Sequence, residues 1–284
     1  MRSNDPKSLV GQRHSLTILR LAKHGIYLGL DSGLEDLAIL LPLAEMHPSL
    51  QEHLESKTPP KPGDKLEVFI YTDSEDRLIA TMKTPLVSLD KLALLKVVDK
   101  NKHGIFLDMG LAKHLFMPTK RPDIYALQSE VLVLVSKDKQ GRLIAKKDLS
   151  PAFKPCFDKS ILNKSLEGIV FGISPLGFSV VTLLDCYTGL IYKDNARLRL
   201  YQTCRVKPVR LRRDGKIDFV LEPDRERLVG MLKDKESPFC IEDIDHEALG
   251  ISKKALKREL SSLIDSGKLA FTKGVGYSYK AKSP

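Results

Sequence analysis

The chain has 284 residues, 42% of them hydrophobic, which is enough for two or three domains with cores of their own. Its 46 lysines and arginines outnumber 36 acidic residues and give a net charge of +10, which favours a polyanionic partner, either nucleic acid or an anionic membrane surface. No apolar run approaches the ~20 residues of a membrane-spanning helix, and charges are scattered through the first residues, so we expect no membrane insertion and no signal peptide.

The four cysteines are widely separated and form no C-x-x-C pair. They are Cys156, Cys186, Cys204 and Cys240. Such spacing is typical of reduced thiols and not of a disulfide framework or a zinc site. We therefore expect a cytoplasmic protein that needs no metal and no cofactor.

Residues from Leu16 to about Pro85 contain five short apolar segments separated by polar turns. In chain order the segments are LTILRLA, IYLGL, LAILLP, KLEVFIY and RLIATM. The turn KHG joins the first two, a proline-bearing loop precedes the fourth, and TDSED joins the last two. This pattern predicts five strands.

The same order of segments recurs in residues 92–151. KHGIYLGL at residues 23–30 becomes KHGIFLDM at 102–109, and RLIA at 77–80 recurs unchanged at 142–145. Two co-linear matches indicate an internal repeat, and its second copy lacks the proline-bearing loop of the first.

A third, diverged copy runs from about Leu166 to Pro223 and keeps the order of elements. Its segments are EGIVFGIS, FSVVTLL, GLIYKDN, CRVKPVRL and IDFVLEP, with the turn RRDGK before the last. Asp214-Gly215 within that turn predicts a type I′ hairpin, because both central residues of such a turn need positive φ.

The remaining residues, 224–284, have the periodicity of helices and form a separate predicted domain. One amphipathic helix carries Leu228 and Leu232 on its apolar face, and a second begins after the N-cap Ser252 and stops at Gly267. Two aromatic-bearing strands follow. Helix, short helix, helix and hairpin is the order of a winged helix.

A unit of roughly 60 to 80 residues with five short strands is typical of an OB barrel. The predicted fold is therefore mainly β with a C-terminal α+β domain, in which three tandem five-stranded OB barrels precede a winged helix. The predicted domains are residues 1–85, 86–152, 153–223 and 224–284.

These motifs also resemble a known family. The pattern G-[IF]-[YF]-[VL], a later segment such as GLIYKDN at residues 189–195, and the strand that begins with RLIA resemble the ribosomal S-one (S1) RNA-binding domain. Three such copies in tandem before a small helical domain resemble the conserved virulence factor B family of bacterial RNA-binding regulators. The resemblance covers nearly the whole chain and implies RNA binding coupled to control of gene expression.

The resemblance also implies where single-stranded RNA contacts the barrels, because S-one domains stack bases on aromatic rings of one sheet face. The ring that follows the first glycine corresponds, in the three copies, to Tyr27, Phe106 and Phe178. The second stacking position aligns with Leu40, Phe116 and Tyr192. The first copy therefore has no second ring. The residues just before the glycine are His24 and His103.

Lysine and arginine side chains near these strands are candidates for contacts to the RNA backbone. In the second copy they are Lys102, Arg142, Lys146 and Lys147. In the third copy they are Lys207, Arg210, Arg212 and Arg213. In the winged helix, the candidate nucleic-acid contacts are Lys253, Lys254, Lys257, Arg258 and Lys273.

We therefore expect an RNA-binding regulatory protein that binds single-stranded RNA by base stacking and basic backbone contacts and acts in post-transcriptional control. Its winged helix adds a contact to RNA, DNA or protein. Two alternatives stay open, a non-catalytic adaptor that docks on a ribosome, polymerase or nuclease assembly, and a winged-helix DNA-binding regulator. The oligomeric state does not follow from the sequence.

The sequence partly matches two catalytic motifs of enzymes but lacks residues or spacing that each of them requires. His246-Glu247 lacks the second histidine of H-E-x-x-H, because Gly250 occupies its position. GISPLG at residues 172–177 is one residue too long for a G-x-S-x-G elbow, and the phosphate-binding pattern G-x-x-x-x-G-K-[ST] does not occur. We expect no enzymatic activity.

Overall fold

The computed structural model describes residues 6–30, 38–54, 56, 59–193, 196–222, 224–235, 238–246 and 249–279. The chain forms two compact units, residues 1–152 and 153–284. No helix within the described ranges is long and apolar enough to cross a bilayer.

The first unit begins with a closed five-stranded barrel, barrel 1. Its strands alternate between side chains that enter the core, such as Leu16, Ile18 and Ile26, and side chains that face outward. The strands pair in the closed order β1-β2-β3-β5-β4, which is that of an OB fold. They are β1 (Arg13–Ala22), β2 (Gly25–Gly29), β3 (Ile39–Pro42), β4 (Lys65–Thr72) and β5 (Leu78–Thr81).

The sequence predicts only a loop between β3 and β4, yet a short helix, α1 (Pro48–Leu54), forms there. Pro48 occupies the first helical position, where its missing N–H costs no helical hydrogen bond. Leu50 and Leu54, one turn apart, pack against the core of barrel 1. The insertion is therefore part of the barrel's apolar packing.

Barrel 2 closes in the same strand order, so the internal repeat of the sequence is a repeat of structure. Its core contains Leu95, Val97, Ile105 and Leu107, which come from its first two strands. The strands are β6 (Leu92–Asn101), β7 (Gly104–Leu107), β8 (Leu115–Pro118), β9 (Glu130–Lys137) and β10 (Leu143–Lys146).

Strand β4 supplies side chains to both barrels of the first unit. Val68 and Ile70 point into barrel 1, whereas Phe69 and Tyr71 belong to the buried cluster of barrel 2. Burial raises the pKa of Tyr71 to about 12, and the carboxylate of Glu45 adds to this shift. Because one strand contributes to two cores, barrels 1 and 2 pack as one unit.

The second unit contains barrel 3, which again closes in the order of an OB fold. Val170, Val180 and Phe219 lie fully inside it. Its strands are β11 (Leu166–Ile173), β12 (Gly177–Thr182), β13 (Thr188–Tyr192), β14 (Thr203–Leu211) and β15 (Ile217–Glu222). Three tandem OB barrels are confirmed.

The C-terminal domain has the element order of a winged helix. Ser252 caps the longer helix by accepting a hydrogen bond from the Ala255 amide, as the sequence predicts. Phe239 forms an isolated antiparallel β-bridge with Tyr277, a residue of the two-stranded wing. The elements are α2 (Arg225–Lys233), α3 (Lys253–Asp265), β16 (Leu269–Thr272) and β17 (Gly276–Tyr279).

Each barrel is preceded by a residue with a left-handed backbone conformation, which the sequence alone does not predict. Gly11, Asp90 and Asn163 have φ of +88°, +59° and +62°. Their backbone amides donate to carbonyl oxygens of the fourth strand of the following barrel, 2.8–2.9 Å away. Glycine, aspartate and asparagine are the residue types that tolerate this conformation. The structural repeat therefore starts several residues before Leu16.

The last two strands of every barrel are joined by the same turn, in which a three-residue loop lies between two hydrogen-bonded residues, Asp73 and Arg77 in barrel 1. The final residue of this loop has positive φ and is Asp76 (+61°), Gly141 (+81°) or Gly215 (+78°). Asp214 is not among the residues with positive φ, so the predicted type I′ turn at Asp214-Gly215 is wrong. The loop is a type I turn closed by one left-handed residue, which needs glycine, or its substitute, at a single position.

Asp76 is the non-glycine member of this set, and its carboxylate links barrels 1 and 2. It accepts a hydrogen bond from Arg142 at 3.0 Å and lies 3.4 Å from the Lys113 ammonium, both on barrel 2. The Lys113 ammonium also donates to the Asp73 carbonyl at 2.6 Å. These contacts account for an aspartate where the other two copies have glycine.

We predict that Asp76→Ala lowers the thermal midpoint of the first unit more than Asp76→Gly does. Both variants lose the contacts to Arg142 and Lys113, but only alanine keeps the cost of a left-handed backbone. Circular dichroism melts of the two variants would measure the difference. Equal midpoints would show that the left-handed conformation at residue 76 carries no cost.

Candidate nucleic-acid interface

Strand register places one row of outward side chains across each barrel, from its first strand to its fifth, and we call this the platform row. In barrel 2 the row is Asp99, Phe106, Phe116 and Ile144. In barrel 1 it is Arg20, Tyr27, Leu40 and Ile79. In barrel 3 it is Gly172, Ser179, Leu190 and Asp218. The same backbone thus carries three different outer surfaces.

The platform row of barrel 2 contains an aromatic pair. Phe106 and Phe116 lie directly opposite each other on β7 and β8, with ring centroids 5.2 Å apart and planes tilted by 46°. Both rings are half-buried and on the outer side, since their neighbours Ile105 and Met117 fill the core. Two adjacent rings on a sheet face form a surface on which bases can stack.

Gly104 determines where the ring of Phe116 lies. A Cβ atom at residue 104 would stand 2.8 Å from the edge of that ring and would also overlap the Met117 carbonyl oxygen. Glycine therefore leaves room for the Phe116 ring next to the start of β7. The KHG motif of the second copy has a packing role next to the aromatic pair.

Several exposed lysine and arginine side chains lie at the end of the barrel next to Gly104. Lys102 and His103 are exposed in the turn before β7, and the His103 carbonyl accepts the Thr119 amide at 3.1 Å. That hydrogen bond brings the neighbouring loop, with exposed Lys120 and Arg121, to the same edge. The sequence alone does not single out this pair, because the edge that it shares with Lys102 and His103 depends on the fold.

Two predicted lysines at the end of β10 are also exposed. Lys146 lies two residues beyond Ile144 and so faces the same side as Phe116. Lys147 places its ammonium 5.8 Å from the centre of the Tyr125 ring. The platform row of barrel 2 thus has cations along one edge, as a surface for a single-stranded polyanion requires.

Barrel 1 presents a different surface at the same place. Register confirms that Leu40 stands opposite Tyr27, so this barrel has one ring where barrel 2 has two. The guanidinium of Arg20 covers the Tyr27 ring, 4.0 Å from its centroid. His24 is exposed in the preceding turn, and its carbonyl accepts a hydrogen bond from the Leu43 amide. Leu43 is not followed by a basic pair, unlike Thr119 in barrel 2.

In barrel 3 the prediction that Phe178 presents a stacking ring is wrong. Phe178 follows the turn glycine by one residue, whereas Tyr27 and Phe106 follow theirs by two. Side chains alternate along a strand, so this shift of one residue turns the ring inward. Phe178 is 4% exposed and packs in the core of barrel 3, and the outward position belongs to Ser179.

In the sequence Tyr192 aligns with Phe116, but the strand register places Leu190 at the position of Phe116. Tyr192 lies opposite Gly177, which is where Pro42 and Pro118 stand in the other barrels. A shift of two residues keeps the outward direction, and the Tyr192 ring is 38% exposed. Barrel 3 therefore has one exposed ring at the end of its row instead of a pair within it.

Several predicted cations of the barrels are already paired with carboxylates. Arg142 bonds Asp138 at 2.7 Å and Asp76 at 3.0 Å, and these hydrogen bonds raise its pKa. Lys207 lies 2.9 Å from Glu222. Both side chains thus form ion pairs within the protein, and their contact to an RNA backbone stays a prediction.

Arg212 forms a third such pair. Its Nε donates to Asp218 at 2.6 Å, which raises the pKa of Arg212, and its Nη2 lies 3.3 Å from the Tyr192 hydroxyl. Asp218 is 7% exposed and sits in the platform row, where barrel 2 has Ile144. Arg210 and Arg213 remain exposed cations on this barrel.

In the winged helix, Lys254, Lys257 and Arg258 lie exposed along α3. Lys253 is paired with Glu242 at 2.7 Å, and Lys273 is exposed in the wing. Within the described ranges no group of three or more histidine, cysteine or acidic side chains is arranged to hold a metal ion.

Comparison with known proteins finds a family model and similar sequences. The family model of the S1 domain matches residues 10–83, which is barrel 1. A Bacillus subtilis protein, the uncharacterized protein YitL, is 30% identical over 246 residues, covering 76% of this chain and 80% of the relative. Conserved virulence factor B of Staphylococcus aureus strain USA300 is 24% identical over 246 residues, with 74% and 80% covered.

The chain belongs to the conserved virulence factor B family. A solved structure, described as a multidomain protein with nucleic acid binding domains from Streptococcus pneumoniae TIGR4, is 18% identical and covers 96% of this chain and 99% of its own, with a TM-score of 0.43. The S1 domain and the membership of the conserved virulence factor B family support a nucleic-acid-binding regulatory protein.

We predict that Gly104→Ala destabilises the first unit by about 1–3 kcal/mol, the usual cost of overpacking a close backbone contact. Gly172→Ala is the matched control, because a Cβ there meets neighbours only at ordinary contact distances of 3.5 Å or more. Urea unfolding of both variants measures the free energies. A Gly104→Ala protein as stable as the wild type would contradict the close approach to Phe116 and Met117.

Proposed function

We propose that this protein binds single-stranded RNA and acts in post-transcriptional control of gene expression. The aromatic pair Phe106 and Phe116 on the outer face of barrel 2 carries the proposal. The rings supply a π surface to bases of any identity, and the cations along the edge attract phosphates.

Single-stranded RNA suits this surface better than a duplex does. A base must be unpaired and unstacked to lie on an aromatic ring, and the two rings are tilted by 46°, so each can take a base of its own. The exposed cations on the same edge are side chains from three different loops and strands, namely Lys102, Lys120, Arg121 and Lys146. They line a path for a flexible backbone beside the rings.

The three barrels have unequal roles in this proposal. Barrel 2 supplies the main stacking surface, barrel 1 supplies the single ring of Tyr27 under Arg20, and barrel 3 contributes Tyr192, Arg210 and Arg213. The winged helix adds backbone contacts through its exposed lysines on α3. Membership of the conserved virulence factor B family supports a regulatory role for the bound RNA.

We predict that Phe106→Ala with Phe116→Ala weakens binding of the full chain to a fluorescent oligouridine by roughly tenfold or more, because each stacked base contributes ~1–3 kcal/mol. Fluorescence anisotropy titrations at several salt concentrations measure the affinity and its salt dependence. The slope against salt should change little in this variant, since no cation is removed.

Leu127→Ala is the matched control for this double variant. Leu127 is an exposed apolar side chain of the same barrel, next to β9 and not in the platform row. Its removal should leave the affinity unchanged. Wild-type affinity in the double phenylalanine variant would exclude stacking on barrel 2.

We predict a gain of affinity for Leu40→Phe, which places a second ring opposite Tyr27 and so copies the arrangement of barrel 2. The expected gain is severalfold, because one further base can stack. The same anisotropy titration measures it, with Leu43→Phe, an exposed site outside the platform row, as the control. An unchanged affinity in Leu40→Phe would show that barrel 1 does not meet the RNA through this face.

A further inference from the structure

The segment from Phe153 to Asp158 forms a strap across barrel 3. The Lys154 amide donates to the Cys186 carbonyl at 3.0 Å, and the Cys156 amide donates to the Gly215 carbonyl at 2.8 Å. Cys156 itself is 2% exposed and belongs to the core of the barrel. The strap is thus anchored at two points by backbone hydrogen bonds and by one buried side chain.

This anchoring presents the ring of Phe157 to solvent. Phe157 follows the buried Cys156, and it is 66% exposed. A Cβ atom at Gly215 would lie 3.1 Å from the Phe157 ring and would overlap Pro155, so the loop glycine also makes room for the strap. The anchored backbone holds Phe157 outward, and its exposed apolar surface does not contribute to the core of barrel 3.

The surroundings of Phe157 are basic. Arg213 and Lys216 flank Gly215 in the loop beneath the ring, and Lys154 and Lys159 flank it along the strap, all of them exposed. The two nearby carboxylates have local partners. Asp158 accepts hydrogen bonds from the amide and hydroxyl of Ser160 at 2.8 and 2.7 Å. Asp214 accepts a hydrogen bond from the Lys216 amide at 3.2 Å, and its carboxylate forms a long, exposed ion pair with the Lys216 ammonium at 3.8 Å.

We propose that Phe157 is a base-stacking residue for single-stranded RNA, with Arg213 and Lys216 as contacts to the adjoining phosphates. An exposed ring surrounded by cations is complementary to a strand that combines planar bases with a charged backbone. The inference rests on the proposed function, and it assigns barrel 3 a stacking ring outside its platform row, in place of the buried Phe178.

Substitution with alanine and with tryptophan tests this assignment in the full chain. Phe157→Ala should weaken oligouridine binding about fivefold or more, whereas Phe157→Trp should keep wild-type affinity because it restores an aromatic face. The sequence contains no tryptophan, so Phe157→Trp carries a single tryptophan whose emission can be excited selectively. Its emission should be quenched when oligouridine is added.

Leu184 provides the matched control position, since it is 84% exposed on a different loop of barrel 3. Leu184→Ala should bind normally, and the emission of Leu184→Trp should not respond to oligouridine. Equal thermal midpoints of the wild type and Phe157→Ala would show that the loss of affinity does not come from unfolding.

Two results would overturn the assignment. They are unchanged oligouridine affinity in Phe157→Ala, or unchanged tryptophan emission in Phe157→Trp at RNA concentrations that saturate binding. If either occurs while the Phe106 and Phe116 double variant has lost affinity, the proposed function stands and only the role of Phe157 fails. If Phe157→Ala and the Phe106 and Phe116 double variant both bind like the wild type, both proposals fail together.

Discussion

Closure of a five-stranded barrel is the constraint on which the rest of this structure depends. Because side chains alternate along each strand, closure sends one set into the core and leaves the other set outside. Every barrel here obeys it with the same strand order. A ring can serve in binding only if register places it outside, which separates Phe106 from Phe178 although both follow a turn glycine.

The architecture could be predicted from the sequence because the patterns that indicate it extend over many residues. Three repeats of five apolar segments and the capped helix α3 are patterns of many residues, and a local error cannot erase them. Site prediction failed where one residue decides the answer. The shift between Gly177 and Phe178 changes the face of the ring, and no periodicity in a diverged copy reports that shift.

Interactions between distant residues account for the other differences. Arg142 and Lys207 have carboxylate partners that the fold brings close, one of them in the neighbouring barrel and one on the adjacent strand. The sequence alone does not show that these cations are already paired. The left-handed residues Gly11, Asp90 and Asn163 are of the types that tolerate positive φ. Their common position can be recognised only when the three barrels are aligned by structure.

The three platform rows show how one fold can divide its work among copies. Barrel 2 keeps two rings, barrel 1 covers its ring with Arg20, and barrel 3 replaces the row with Asp218, a nearly buried acid paired to Arg212. The middle of that row holds Ser179 and Leu190 in place of two rings, so barrel 3 lacks the stacking surface of barrel 2. Under the proposed function, barrel 3 must therefore contact RNA through Tyr192 or through surfaces outside the row, such as the strap and the loop around Gly215.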